Sequence, residues 1–169
     1  MFIFFILLID IGLLGWFENN SGVKYVATAI KKLKNKYLVD LHKKFSIPIV
    51  TVIDTPGAYP GIGAEERGQS GAIASNLFTL AALKTPIINL VLGAGGSGGA
   101  LAIGMGDKLV MLDYSIYSVI SPETCSSIIW RNPNEVEPAA DAMGLSSKRL
   151  TKFGIVDRII PDPLARFHR

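Results

Sequence analysis

Gly93-Ala-Gly-Gly-Ser-Gly-Gly99 lies between the apolar run Pro86-Ile-Ile-Asn-Leu-Val-Leu92 and the stretch Ala100 to Met105, and its reading decides the fold. A short run rich in β-branched residues, a turn built of glycines and a brief helix form one strand-turn-helix step. The same step stands upstream. Ile47-Pro-Ile-Val-Thr-Val-Ile53 is stopped by Asp54-Thr-Pro-Gly57, and Ala64 to Lys84 carries Ile73, Leu77, Leu80 and Leu83 at helical spacing. Runs this apolar predict strands buried on both faces of a parallel sheet. Downstream, Lys108 to Leu112, Ser115 to Ile120 and Ile155 to Ile160 read as further strands, and Ser121-Pro122 as an N-cap with proline at the first helical position. The alternation predicts an α/β fold with a mainly parallel sheet. The two glycine turns, 57–63 and 93–99, should then share the carboxyl edge of that sheet, where main-chain N–H groups and helix starts face a ligand.

Three short motifs match named chemistries and fail on context. Asp54-Thr-Pro-Gly57 has the D-x-x-G form of a GTPase switch, but the chain has no Gly-Lys dipeptide and so no phosphate loop. Gly93-x-Gly95-x-x-Gly98 matches a dinucleotide fingerprint, with Asp113 twenty residues on, yet Gly104 and Gly106 limit the following helix to about two turns, too short for that crossover. Gly95-x-Ser97-x-Gly99 has the form of a nucleophile elbow, and Asp141 or Asp157 with His168 would complete the order of a hydrolase triad. His168 is the penultimate residue, a poor place to hold a base. The reading that needs no reactive side chain is an oxyanion hole: main-chain donors fixed in advance where negative charge develops.

The counts set the outer limits. The chain has 169 residues, enough for one domain. Apolar residues are 49% and charged residues 18%, which excludes disorder. One cysteine, Cys125, allows no intrachain disulfide and points to a reducing compartment, and with only two histidines there is no usual structural zinc set. The net charge of +3 is uneven: residues 1–47 carry seven lysines against three acids, net +4, while 48–169 carry ten basic and eleven acidic side chains, net −1. The body is therefore no nucleic-acid surface. Met1 to Phe17 is apolar but interrupted by Asp10, too short for a membrane helix and without the flanks of a signal peptide. It is open as a membrane-associating segment, a strand or helix of the fold, or sequence foreign to it, so residues 1–22 are set apart from a domain at 23–169. Tyr25, Ala29, Leu33, Tyr37, Leu41 and Phe45 recur every four residues and predict an amphipathic helix whose lysines face solvent.

Longer stretches carry a resemblance. Ile53-Asp-Thr-Pro-Gly-Ala-Tyr-Pro-Gly61, Gly63-Ala-Glu-Glu-Arg-Gly-Gln-Ser70, Gly95-Gly-Ser-Gly-Gly-Ala-Leu-Ala-Ile-Gly104, Tyr117-Ser-Val-Ile-Ser-Pro-Glu123, Ala142-Met-Gly144 and His168-Arg169 resemble the carboxyltransferase α subunit of bacterial or plastid acetyl-CoA carboxylase, from about Phe45 onward. The resemblance implies the crotonase-like (ClpP/crotonase) fold, a spiral of strand-strand-helix turns, here incomplete at the N-terminus. It implies transfer of a carboxyl group from carboxybiotin to acetyl-CoA, giving malonyl-CoA for fatty acid biosynthesis, in the cytoplasm or a plastid stroma. Biotin would arrive on the biotin carboxyl carrier protein, charged by biotin carboxylase. A zinc-ribbon β subunit would complete an α2β2 assembly, with no metal in this chain. By the same resemblance Gly95 and Gly96 would be oxyanion donors, with Gly57 and Ala58 as candidates for the second position. Gly98 and Gly99 would let loop and helix pack closely. Tyr59, Gly61, Glu65, Glu66 and Arg67 would line or brace the biotin side, unless the charged three are only a salt-bridged helix start. The pattern departs from the family at Ala94, Gly71, Ser75 and Ala165-Arg166-Phe167. A non-catalytic piece that only binds the β subunit, and a hydrolase using Ser97, are the alternatives.

Overall fold

The computed structural model describes residues 6–7 and 48–161. The elements run β1 (Ile6–Leu7), β2 (Ile49–Thr55), α1 (Ile62–Glu66), α2 (Gln69–Ala81), β3 (Ile87–Gly96), α3 (Ser97–Leu101), β4 (Lys108–Leu112), β5 (Ile116–Ser118), α4 (Pro122–Ile129), α5 (Val136–Met143), α6 (Ser147–Lys152) and β6 (Arg158–Ile160). The expected helix over 23–45 lies outside the described residues; of the apolar N-terminal stretch, Ile6–Leu7 pair with Val50 and Thr51.

The strand order is β1-β2-β3-β4-β6 and every pairing is parallel, as the apolar runs predict. β3 is the axis. Its first half, Ile88–Val91, pairs with Lys108–Met111 of β4, and its far end, Ala94–Gly96, pairs with Ile116–Ser118 of β5. The chain therefore leaves β3's side after β4, turns at 113–115 and returns beside the same strand. Ser115 makes that turn tight: its N–H and its hydroxyl both donate to the Leu112 carbonyl, at 3.1 and 2.7 Å. Among the described residues no helix is long and apolar enough to cross a membrane.

The core sits where α3 and the end of α6 meet the sheet. Ile53, Val91, Ala100, Ile103, Met111, Leu150 and Val156 form one buried cluster, and Ile49, Leu80 and Ile87 form a second under α2. β2 is buried along most of its length, whereas β3 alternates, with Ile87, Asn89 and Val91 buried and Ile88 and Leu92 exposed. The expectation of burial on both faces holds better for β2 than for β3.

Two differences from the sequence reading matter for the site. The single helix expected over Ala64 to Lys84 is two, because Gly68 takes a left-handed φ of 76° and its N–H closes on the Glu65 carbonyl at 2.8 Å, ending α1. And β3 does not stop at Leu92: it runs through the glycines to Gly96, so the turn is tighter and later than its composition suggests. Ser121 caps α4 as expected, accepting from the Thr124 N–H at 3.2 Å with Pro122 at the first helical position. Helices α5 and α6 carry no expectation from the sequence reading.

Buried amides lock α3 from behind. The carbonyls at a helix's C-terminal end have no partner within it. Asn89, fully buried on β3, donates to the Ile103 carbonyl at 3.1 Å and to Thr51 Oγ1 at 2.5 Å, and buried Asn76 of α2 donates to the Ala102 carbonyl. Asn89→Leu strips two acceptors of their donor inside the core and should cost about 2 kcal/mol, read as a lower midpoint in urea unfolding.

Candidate active site

The two glycine turns touch. β2 ends at Thr55 and β3 at Gly96, and the chain between them has to fold back over the sheet edge. Gly96 lies so close to the first turn that a Cβ built on it would overlap the Pro56 carbonyl oxygen and stand 2.7 Å from the carbonyl carbon. Gly99 lies against the same segment: a Cβ there would stand 2.7 Å from the Gly57 carbonyl carbon and 2.9 Å from the Ala58 nitrogen. Gly57 has a φ of 135° and faces Ser97, whose own φ of 53° is unusual for a residue with a side chain. Gly57, Ala58, Gly96 and Gly99 thus form one patch of bare main chain at the carboxyl edge, where the strand-turn-helix pattern places it.

A bulge aims β3 into that patch. Ile53 pairs with Val91 but Thr55 pairs with Gly95, so two steps on β2 face four on β3. The carboxylate of Asp54 fills the gap and accepts the Ala94 N–H at 3.0 Å. A Cβ on Gly93 would stand 2.7 Å from that carboxylate. The aspartate of the Asp54-Thr-Pro-Gly57 motif is therefore spent on the bulge. Bulges commonly re-aim a strand beside a functional site.

The fate of each N–H follows from the register. Successive residues of a strand point their polar groups to alternate edges. Pro56 has no N–H, so the pairing of Thr55 with Gly95 must be made by the Gly96 N–H donating to the Thr55 carbonyl and the Thr55 N–H to the Ala94 carbonyl. The Tyr117 N–H donates to the Leu145 carbonyl at 3.1 Å, away from β3, so the pairing of Gly95 with Tyr117 runs from the Gly95 N–H to the Ile116 carbonyl. The pairing of Gly96 with Ser118 then takes the Ser97 N–H to the Ser118 carbonyl. The Gly57 N–H donates to Thr55 Oγ1 at 3.2 Å.

On this register the expected donors differ in what is left to them. The Gly95 and Gly96 N–H groups hold the sheet together, and that of Gly57 closes its own turn. Of the four expected donors only Ala58 has an N–H with no acceptor among the described residues. The first N–H beyond the ladder belongs to Gly98, in the first turn of α3, where no preceding carbonyl is in reach. Both residues are half-buried. Gly98 is also less crowded than expected: a Cβ there would meet only Ile73, at 3.6 Å, so close packing rests on Gly96 and Gly99 instead. The sequence conceals this because a run of glycines does not mark where pairing ends.

The side chains around the patch are polar and open. Tyr59 is 61% exposed with its ring over Gly61, where a Cβ would collide with it. Glu65, Glu66 and Arg67 are exposed. Glu65 accepts from the Ser70 hydroxyl at 2.8 Å and the Arg67 guanidinium lies over Gly63. None of the three forms an ion pair among the described residues, against the salt-bridged reading. Behind the patch the Tyr117 ring packs on Gly95, and burial raises its phenol above the usual tyrosine range. Among the described residues no cluster of histidine, cysteine or carboxylate could hold a metal. Ser97 Oγ makes no hydrogen bond to a base there, and His168 lies outside them.

A family model described as acetyl co-enzyme A carboxylase carboxyltransferase-like matches residues 31–169. The acetyl-coenzyme A carboxylase carboxyl transferase subunit alpha of Methylococcus capsulatus is 61% identical over 132 residues, covering 78% of this chain and 41% of that protein. The subunit of the same name from Thioalkalivibrio sulfidiphilus is 58% identical over the same coverage. The chain thus spans about two fifths of the length of these relatives. Among solved structures, transcarboxylase 12S superposes with a TM-score of 0.69 at 22% identity, over 86% of this chain and 29% of that one. A Pseudomonas malonate decarboxylase hetero-tetramer does so with a TM-score of 0.67 at 20% identity, over 83% of this chain and 56% of that one. These likenesses identify the α/β fold as crotonase-like. With a family model matching residues 31–169, the chain belongs to the acetyl co-enzyme A carboxylase carboxyltransferase-like family.

Proposed function

We propose that this chain supplies the α-side oxyanion hole of a carboxyltransferase that moves a carboxyl group from carboxybiotin to acetyl-CoA, forming malonyl-CoA. The observation that carries the reading is the pair of uncommitted N–H groups, Ala58 and Gly98, on two turns that the contacts of Gly96 and Gly99 hold together. As a carboxyl group leaves a ureido nitrogen, negative charge builds on the ureido oxygen. Ala58 and Gly98 meet that charge with donors already in place, each worth roughly 100- to 1,000-fold in rate. Tyr59, Gly61, Glu65 and Arg67 form the open rim over which a biotin arm on a carrier protein enters. A β subunit supplies the acetyl-CoA side, so the chain works only in an assembly.

Mixing the chain with a carboxyltransferase β subunit, acetyl-CoA and carboxybiotin should yield malonyl-CoA. A folded assembly that forms none refutes the catalytic reading. The strained φ of Ser97 favours one competitor, a serine hydrolase. Labelling of Ser97 by an active-site-directed phosphonate would support that competitor, and the carboxyltransferase reading expects no label.

A further inference from the structure

We propose that Gln69 is a positioning residue for the first glycine turn, a clamp that fixes the Ala58 N–H in its donating direction; this rests on the oxyanion-hole reading above. Gln69 is the first residue of α2, yet its side chain does not serve that helix. It is 8% exposed and turns back across ten residues to donate from Nε2 to the Tyr59 carbonyl at 2.9 Å. A glutamine amide is buried at a cost unless bonded, so this contact is a specific one.

The turn needs such a contact at that point. Its start is tied by Thr55, whose hydroxyl lies within bonding distance of both the Gly57 N–H and the Gly57 carbonyl. Its end is tied by the Gly61 carbonyl, which accepts from the Ala64 and Glu65 N–H groups at 2.9 and 3.3 Å. Between these, Ala58, Tyr59 and Pro60 have one hydrogen bond among the described residues, the one from Gln69. The Tyr59–Pro60 peptide has no N–H, so its carbonyl is the single handle by which the plane can be held. Proline also confines Tyr59 to extended backbone, so a fixed carbonyl there fixes the direction of the chain back to Ala58. Gly68, left-handed and immediately before Gln69, turns the chain so that α2 begins facing the turn.

The test uses the full chain in its assembly with the β subunit. Gln69→Met keeps the length and removes the donor. Losing one hydrogen bond at this part-buried turn should lower the melting temperature by only a few degrees. Hydrogen exchange at the Gly57 and Ala64 amides, which are bonded at the two ends of the turn, should quicken about fivefold to tenfold. kcat should fall about tenfold while KM for acetyl-CoA stays within twofold. Gln69→Glu gives the independent readout. Its ionised carboxylate repels the Tyr59 carbonyl, but its protonated form can donate, so the ratio of its kcat to that of the unaltered protein should rise as pH falls through the carboxyl titration. The same ratio for Gln69→Met should be flat. Unchanged exchange at both Gly57 and Ala64 in Gln69→Met, or a pH-independent ratio for Gln69→Glu, overturns the clamp. An assembly that forms no malonyl-CoA while the exchange pattern appears as stated overturns the carboxyl-transfer reading and leaves the clamp standing.

Discussion

Gly96→Ala is expected to abolish stable folding of the body, while Gly98→Ala, two residues away in the same run, folds normally. The φ of Gly96 is −117°, open to any residue, so the effect is steric and not one of backbone strain. The new methyl would overlap the Pro56 carbonyl oxygen and sit 2.7 Å from its carbon, and main chain cannot step aside as a side chain can. Separating the turns would break the pairing of Thr55 with Gly95 and uncover the cluster around Ile53 and Ala100. Overpacking costs about 1–3 kcal/mol when a core can adjust and more when it cannot, a large share of a small domain's stability. At Gly98 the nearest atom is the end of Ile73 at 3.6 Å, and alanine gains up to about 1 kcal/mol over glycine within a helix. Urea unfolding of both variants decides the matter: equal midpoints would show that the turns are not in contact.

The second large effect concerns donors that no side-chain substitution can remove. Replacing residue 98 by its α-hydroxy acid turns the amide into an ester and deletes one N–H. In the assembly with a β subunit, kcat should drop roughly 100- to 1,000-fold, with KM for acetyl-CoA within a few-fold. The same change at residue 58 should do likewise. At residue 95 it should lower stability by about 1 kcal/mol with little change in kcat, because that N–H pairs β3 to β5. A large loss of kcat at 95 with none at 58 or 98 would return the donor role to the glycine pair.

Much of the fold could be read from residues 48–161. The runs at 49–55 and 87–92 are legible as strands because each is short, rich in β-branched residues and closed by a glycine turn, and Ser121-Pro122 marks a helix start by chemistry local to it. The breaks were less legible. Gly68 ends a helix through one dihedral that no spacing of apolar residues reports, and Gly93 to Gly96 remain strand because Asp54, forty residues away, accepts the Ala94 N–H. Of the candidate site, the sequence placed the two glycine turns at one edge but did not tell which of their amides pair. Which amide is spoken for depends on Pro56 lacking an N–H and on Tyr117 turning to Leu145, and both facts act across strands. Gln69 stood within the stretch Gly63–Ser70, but its contact was not legible, since its partner is a backbone carbonyl.

The two asparagines behind α3 have a kinetic meaning. Asn76 and Asn89 hold the Ala102 and Ile103 carbonyls from two separate elements, so the helix that carries Gly98 is anchored before any substrate arrives. Under the proposed carboxyl transfer, a carrier-borne biotin then meets a turn that needs no gate to swing. Turnover on this side should follow how fast the tethered arm finds the rim, and solvent viscosity should slow it accordingly.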